Sequence, residues 1–473
     1  MATKSVVAPL RKIIVIVGTT GVGKTRLSIE LAKRFNGEIV NSDAMQMYNH
    51  LDIGTAKVTE EEKCGIPHHL MSFLEPTEQY TAVQYQAAAR AAIEDISKRG
   101  KLPVVVGGTM FYVQALLWNS IFDQDTANTD IPQNDTTRKR KRTDFRPPAH
   151  SLSEREKQDK WEELRRVDPL SANRIHPNNV VRVLRSLEVF HRTGRPHSEI
   201  IAEHRQQDDA KTLQYDAHMI WLRCQTEVLQ ERLNKRVDDM RHNGLVAEVH
   251  DLWNKIRSDS SIAADRITQL GVLKSIGFKE FAEYFTKRDQ LSSSPSPVET
   301  KAVDAVLEEC FEALKLSTRQ YARKQIRWIR NRFEARGVTL YPYNTDDVAL
   351  WNTNVRDPAI QDVQSWLDGL ATSTNSQQAI ASAKAEAQFW ESRDLTTWKR
   401  RHCHICDRMV DGQDAWEAHI QSRRHNKLKR FLTVELHPLD VRGRERQQKL
   451  QQRVEETNSK QSTSADTTST AET

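Results

Sequence analysis

Residues 12–25 read K-I-I-V-I-V-G-T-T-G-V-G-K-T, and this stretch decides the fold. Ile13, Ile14, Val15, Ile16 and Val17 form an unbroken β-branched apolar run, the pattern of a strand buried on both faces. Gly18, Gly23, Lys24 and Thr25 then fit G-x-x-x-x-G-K-[ST], with Gly21 as an extra glycine inside the loop. Glycines let the backbone curl so that its N–H groups point at phosphate oxygens. Lys24 adds a positive charge, and Thr25 offers a hydroxyl to Mg²⁺. A helix starting at about Thr25, with Leu27, Ile29 and Leu31 on its apolar side, turns its positive dipole end toward the same anion. The loop specifies a bound phosphate and leaves open which molecule carries it.

The stretches around it repeat one rhythm. A helix over residues 25–35 stops at Gly37, and a strand over 38–41 ends near Asp43. The loop L-D-I-G-T-A-K follows, then a short strand at His68, His69, Leu70 and Met71. An alanine-rich helix over 80–99 closes at Gly100, and Leu102, Val104, Val105 and Val106 form another buried strand before Gly107, Gly108 and Thr109. Strand and helix in alternation predict an α/β fold, a parallel sheet covered by helices. Ligands of such sheets sit at the carboxyl ends of the strands, where Gly18, Asp43 and Thr109 are expected to converge.

Residues 123–150 break the rhythm. They are polar, hold Pro132, Pro147 and Pro148, and contain R-K-R-K-R at 138–142, which reads as a disordered insertion. Its basic run is a nuclear address, a loose phosphate contact or a solvated charge run. Residues 161–204 are helical with a break at Ile175, His176 and Pro177, and 217–222 return to the sheet as a strand. Residues 229–257 read as one long amphipathic helix and 303–332 as another, with Arg319, Arg323, Lys324, Arg327, Arg330 and Arg332 along it. That basic stripe suits either nucleic-acid phosphates or plain solvent. Beyond Tyr343 the signal fades, and residues 457–473 are Ser/Thr-rich and expected to be disordered.

The chain has 473 residues, enough for two or three domains, and 38% are hydrophobic, enough for a sizeable core. The net charge of +6 leans mildly toward polyanionic partners. Five sparse cysteines are not a disulfide framework, which points to a reducing compartment. No apolar stretch approaches a membrane span. A cytoplasmic location is expected, with mitochondrial and nuclear fates also open, because the first twelve residues lack acids and the basic run is present.

A second site lies near the C-terminus. Cys403, Cys406, His419 and His425 are spaced C-x(2)-C-x(12)-H-x(5)-H, which gives Zn²⁺ four tetrahedral ligands on a hairpin and a helix. Asp414 is expected to cap that helix, and Trp416, Ile420 and Leu428 to form its small core.

A small-molecule kinase competes as a reading of the phosphate loop. It expects an acid at the end of an apolar strand to help hold Mg²⁺, whereas P-V-V-V-G-G-T ends in glycines and Thr109. A non-catalytic RNA-binding scaffold is the third reading, disfavoured by the intact Gly23, Lys24, Thr25 and Asp43.

Taken together, the motifs resemble the tRNA dimethylallyltransferases, also called tRNA isopentenyltransferases. The matching pieces are G-T-T-G-V-G-K-T from Gly18, S-D-A-M-Q-M-Y from Ser42, L-D-I-G-T-A-K from Leu51 and G-K-L-P-V-V-V-G-G-T-M-F-Y from Gly100. They continue with V-D-P-L-S-A-N-R-I-H-P-N-N from Val167, R-V-L-R-S-L-E-V-F from Arg182 and T-G-R-P-H-S-E from Thr193. R-V-D-D-M from Arg236, S-I-G-F-K-E-F from Ser275 and T-R-Q-Y-A-R-K-Q-I-R-W from Thr318 complete the set. They follow the family's order over about residues 11–335, and the finger resembles that of eukaryotic members. Thr19 departs from a proline common in bacterial members.

The resemblance implies a P-loop NTPase-like catalytic domain over 11–122 and 211–345, and a helical tRNA-binding insertion over 151–210. A zinc finger over 395–432 and a disordered tail over 440–473 complete the expected organisation. It implies transfer of a dimethylallyl group from dimethylallyl diphosphate to the exocyclic amine of the adenosine 3′ to the anticodon. Gly18, Thr19, Thr20, Gly21, Val22, Gly23, Lys24 and Thr25 would then bind the diphosphate with Mg²⁺. Asp43 would take the amine's proton, with Thr20 and Arg236 beside the diphosphate. Asp43, Ala44, Met45, Gln46 and Thr109 would touch the tRNA, as would Val181, Arg182, Val183, Leu184 and Arg185. Lys274, Ser275, Ile276, Gly277, Phe278 and Lys279 resemble a further tRNA-contacting stretch. No membrane and no obligate protein partner are implied.

Overall fold

The computed structural model describes residues 10–118, 152–206, 213–258, 271–290, 297–334 and 338–371, and, with gaps, residues between 376 and 452. The expectations for the first nine residues, the 123–150 insertion with its basic run, and the 457–473 tail lie outside the described residues. The described chain divides into two compact units, 1–384 and 385–473.

In the first unit the order runs β1 (Lys12–Gly18), α1 (Lys24–Arg34), β2 (Gly37–Asn41), α2 (Glu60–Lys63), β3 (His68–His69), α3 (Ala82–Lys98), β4 (Leu102–Val106) and α4 (Met110–Leu117). Four helices follow, α5 (Glu154–Val167), α6 (Pro169–Arg174), α7 (Val180–Thr193) and α8 (His197–Gln206). The chain then forms β5 (Asp216–Arg223), α9 (Thr226–His242), α10 (Leu245–Arg257), α11 (Ala282–Asp289), α12 (Pro297–Arg332), β6 (Leu340–Asn344) and α13 (Asp357–Leu367).

The six strands lie in the order β3-β2-β4-β1-β5-β6, every pair parallel. This is the parallel sheet that the sequence predicts. β1 sits between β4 and β5, with Ile14 opposite both Val104 and His218. Its five apolar residues are wholly buried. Alternate side chains point to opposite faces. Ile13, Val15 and Val17 join the core under α3, α4 and α10, whereas Ile14 and Ile16 join the core under α1 and α13. A strand packed on both sides requires an unbroken apolar run, which explains the pattern of residues 13–17.

Three expectations change. Residues 229–257 are two helices, because the chain turns at Asn243 and at Gly244, whose φ of +96° is the left-handed region. The apolar period runs on past the turn, so periodicity alone misses it. The helical insertion has four helices where the sequence suggests one break. Asp168, buried at the α5–α6 junction, accepts from the Ser171 N–H at 2.9 Å, the Ser198 N–H at 2.8 Å and the Ser198 hydroxyl at 2.6 Å. Burial pushes its carboxyl up, but these bonds outweigh it and hold the pKa below the usual range. Finally, the chain past Tyr343 does not fade. Its β6 strand extends the sheet at one edge, and the π-helical turn Asn352–Arg356 and α13 cover one face of it.

This last layer buries His218 of β5. The imidazole stacks on Tyr341 at 4.0 Å and lies 5.4 Å from Trp366, and neither ring nitrogen has a hydrogen-bond partner among the described residues. Burial drives its pKa down from 6.5 to about 3. Below pH 6.5 the unfolded chain therefore takes a proton that the folded chain refuses. Stability from this group is full above that pH and is lost as pH falls toward 3. His218→Phe should remove about 2 kcal/mol of acid sensitivity between pH 7 and pH 5, measured by urea unfolding against wild type. An identical pH dependence in both proteins would refute the assignment.

Candidate active site and zinc centre

The phosphate loop leaves β1 at Gly18 and enters α1 at Lys24. The Lys24 ammonium donates to the Thr19 carbonyl at 2.7 Å. Burial lowers its pKa to about 8; Asp43 opposes the fall and Arg236 adds to it. Arg236, on α9, is itself lowered by burial, with Asp43 again the opposing charge. Asp43 and two desolvated cations therefore share a field, with Glu62 acting on Arg236 as well, and an arriving anion would raise the Lys24 pKa again.

Asp43 follows β2. Its backbone N–H donates to Asn41 Oδ1 at 2.9 Å, and its own Oδ1 accepts from the Met45 N–H at 3.0 Å. Asn41 also donates through Nδ2 to the carbonyls of Asp43, at 3.1 Å, and Leu70, at 2.9 Å. The turn carrying the acid is thus tied at both ends. The Thr109 hydroxyl accepts from the Ala44 N–H at 2.9 Å, and the Thr109 N–H donates to the Ser42 carbonyl at 3.2 Å. Gly107 and Gly108 permit this approach. A Cβ on Gly107 would fall 2.3 Å from the Ser42 carbonyl carbon, and one on Gly108 would fall 2.8 Å from Asp43 Oδ2. Gly18, Asp43 and Thr109 thus sit at neighbouring strand ends, and the glycines after β4 occupy the place where a kinase reading needs an acid.

Two residues of α12 join the site that sequence reasoning passes over. Gln325, buried, accepts from the Thr20 N–H at 3.0 Å and donates to the Gly108 carbonyl at 2.9 Å. The Tyr321 hydroxyl donates to the same carbonyl at 3.1 Å, and burial, then Asp43, raise its pKa. The signal lay in T-R-Q-Y-A-R-K-Q, but a glutamine among arginines reads as surface. Phe311, Leu314, Ala322, Gln325 and Ile329 are buried on one side, and Arg323, Lys324 and Arg327 are exposed on the other.

The residues expected to meet tRNA divide. Gln46 donates to the carbonyls of Thr55 and Ala56 at 3.1 and 3.2 Å. That loop is clamped by Glu248, which accepts from the N–H groups of Asp52, Ile53 and Gly54 at 2.6 to 2.8 Å. Gly277 lies against Gly54. Val181 and Arg182 on α7 are exposed, whereas Arg185 pairs with Glu188 at 3.2 Å. Val183 and Leu184 are buried, Val183 in the core of the helical insertion, so their side chains offer nothing to an RNA. Ser275 and Phe278 are buried too, Ile276 is half-buried, and Lys279 pairs with Glu280 at 3.6 Å. Helical and turn packing puts every third or fourth side chain inside, and a contiguous stretch cannot present all of its residues.

In the second unit β7 (Arg400–Cys403) and β8 (Arg408–Asp411) form an antiparallel hairpin before α14 (Gln413–Gln421) and α15 (Arg423–Thr433). The ligand atoms of Cys403, Cys406, His419 and His425 all lie within 4.8 Å of one another, with Cys403 and His425 buried. Two thiolates and two imidazoles converging at this range suit tetrahedral Zn²⁺. Two details differ from the sequence reading. Asp414 is already inside α14 and is not its cap, and Ile420 is exposed.

A phosphate loop at the carboxyl edge of a parallel sheet, facing a fixed acid and a half-buried arginine, defines a P-loop enzyme acting on a phosphorylated ligand. Residues 46–332 match IPP transferase, residues 11–72 match isopentenyl transferase and residues 401–425 match a zinc finger of C2H2 type. The chain belongs to the IPP transferase family. It is 37% identical over 434 residues to the tRNA dimethylallyltransferase of Homo sapiens, covering 88% of this chain and 86% of the relative. It is 33% identical over 430 residues to that of Saccharomyces cerevisiae, covering 89% and 92%. The fold is similar to a crystal structure of a eukaryotic dimethylallyltransferase acting on tRNA, with a TM-score of 0.71, 32% identity and coverage of 89% and 97%.

Gln325 joins the phosphate loop to the acid-bearing edge, so its removal orphans the Thr20 N–H and leaves the Gly108 carbonyl to Tyr321 alone. Gln325→Leu should cost about 3 kcal/mol in urea unfolding, and Gln325→Glu, which keeps an acceptor facing Thr20, should cost less. A loss below about 0.5 kcal/mol in the leucine variant would mean that the bridge carries no weight.

Proposed function

We propose that this protein transfers a dimethylallyl group from dimethylallyl diphosphate to the exocyclic amine of the adenosine 3′ to the anticodon of tRNA. The observation that carries the reading is the convergence of the phosphate loop and Asp43 around Gly108, with no acid at the end of β4. A diphosphate leaving group and a nearby proton acceptor suit that arrangement, and the relatives named above bear the matching activity.

In the proposed step the amine nitrogen attacks C1 of the dimethylallyl group, the C1–O bond breaks, and its electron pair leaves with diphosphate. Asp43 accepts the proton that the amine loses. An adenine amine is a weak nucleophile, so orientation by the tied Asp43 turn contributes as much as proton removal. Lys24, Arg236 and the loop N–H groups stabilise the charge that grows on diphosphate, with Thr20, whose own N–H is held by Gln325, beside it. The Thr25 hydroxyl, exposed at the start of α1, is a hard oxygen donor suited to Mg²⁺. When bound there, the ion would neutralise part of the same charge.

The adenosine must leave the anticodon-loop stack, at a cost of roughly a few kcal/mol that phosphate contacts offset. Exposed Arg182 on α7 and Arg323, Lys324 and Arg327 on α12 supply positive surface for this. Gln46, Thr109 and the backbone of Ala44 and Met45 lie beside Asp43, where the base would arrive.

The test is incubation with Mg²⁺, labelled dimethylallyl diphosphate and unmodified tRNA, followed by digestion to nucleosides. Label on the adenosine beside the anticodon, with no ATP consumed, is expected. No label on RNA, with phosphate moved from ATP instead, would return the site to the kinase reading.

A further inference from the structure

We infer that residues 340–367, which lie beyond the matched family span, form part of the diphosphate site, and that Trp351 is the positioning residue through which they act. This rests on the proposed function for the identity of the anion, and on contacts in the structure for the rest.

Gly23 is the last residue before Lys24 and has a φ of +86°. A Cβ on it would lie 2.7 Å from two carbons of the Trp351 ring, so the indole lies directly against the loop backbone. Trp351 is only 4% exposed. Its N–H donates to Glu30 Oε2 at 2.9 Å and Oε1 at 3.2 Å. The Arg26 guanidinium sits 4.7 Å from the ring centre and pairs with Glu30 at 3.1 Å. The ring is therefore locked to the first two turns of α1 and cannot swing away from Gly23 without breaking three contacts.

The same segment grips α9. Asp346 Oδ1 accepts from the Gln225 N–H at 2.6 Å, and the Asp346 carbonyl accepts from Arg232 at 2.6 Å. Arg232 lies one helical turn before Arg236. Residues 346–351 thus tie α1, which begins with Lys24, to α9, which carries Arg236. Those two half-buried cations repel each other, and Arg236 adds to the depression of Lys24. Before an anion arrives, the repulsion favours separating the two helices, and the loop between them holds three glycines with little preference of their own. A brace across α1 and α9 keeps the cations at the separation a diphosphate spans. It also places the ordering cost of the loop in folding, ahead of binding.

The experiment uses the full chain and inorganic diphosphate with Mg²⁺, followed by calorimetry, with tRNA affinity measured in parallel. Trp351→Ala should weaken diphosphate about tenfold while tRNA affinity stays within about twofold. Trp351→Phe keeps a ring but loses the bond to Glu30. It should weaken diphosphate about threefold, and it supplies the test if the alanine variant does not fold. Unchanged diphosphate affinity in the folded variants would overturn the inference and leave the proposed function standing. Equal loss of both affinities would also overturn it, by reducing Trp351 to a folding contact. Failure of wild-type protein to bind diphosphate would remove the inference and the proposed donor site together.

Discussion

The buried amide of Gln325 is the interaction on which the site depends. The phosphate loop and the acid-bearing turn belong to different strand ends, β1 and β2, separated in the sheet by β4. A parallel sheet sets their spacing only to within the freedom of the loops that leave it. Gln325 removes that freedom with two bonds, one to the Thr20 N–H and one to the Gly108 carbonyl. It can do so because Gly107 and Gly108 have no side chains, which lets the end of β4 press against Ser42 and Asp43. Tyr321, one helical turn earlier, donates to the same carbonyl. One face of α12 therefore fixes the phosphate loop against the acid-bearing edge while the opposite face shows positive charge to solvent.

Much of this could be read in the chain, and the reasons are physical. Strand β1 is buried on both faces, so its five β-branched residues leave no other reading. The phosphate loop needs glycines, a lysine and a hydroxyl at set spacing, and Asp43 and Thr109 fall at strand ends where such folds bind ligands. The zinc ligands are legible because the metal imposes their spacing. What stayed hidden depends on tertiary contact. Gln325 lies among arginines and resembles a surface residue until the helix is seen edge-on to the sheet. Trp351 follows a stretch with no clear period. The turn at Gly244 interrupts a helical pattern that continues on both sides. Val183, Leu184, Ser275 and Phe278 lie inside motifs that a family resemblance assigns as whole stretches, although packing buries them.

The electrostatics give the site a direction. Lys24 and Arg236 are both depressed by burial and both partly compensated by Asp43. A diphosphate carries more negative charge than Asp43 supplies, so its binding there would complete a pairing that the protein alone leaves short. In the proposed reaction the leaving group gains negative charge as the allylic bond breaks, and the same two cations would then interact with it more strongly than with the intact donor. Differential stabilisation of that kind speeds the chemical step as well as tightening binding.

The most direct test of the account is single-turnover transfer by Asp43→Asn, with tRNA and dimethylallyl diphosphate both bound at saturation. The asparagine keeps the shape of the turn and an acceptor for the Met45 N–H, but it cannot take the amine's proton. The account predicts a fall of roughly 10²–10⁴-fold in the transfer rate with tRNA affinity essentially unchanged. A rate equal to that of wild type would contradict the role given to Asp43, and with it the reading of the site as a place where a proton and a diphosphate leave in opposite directions.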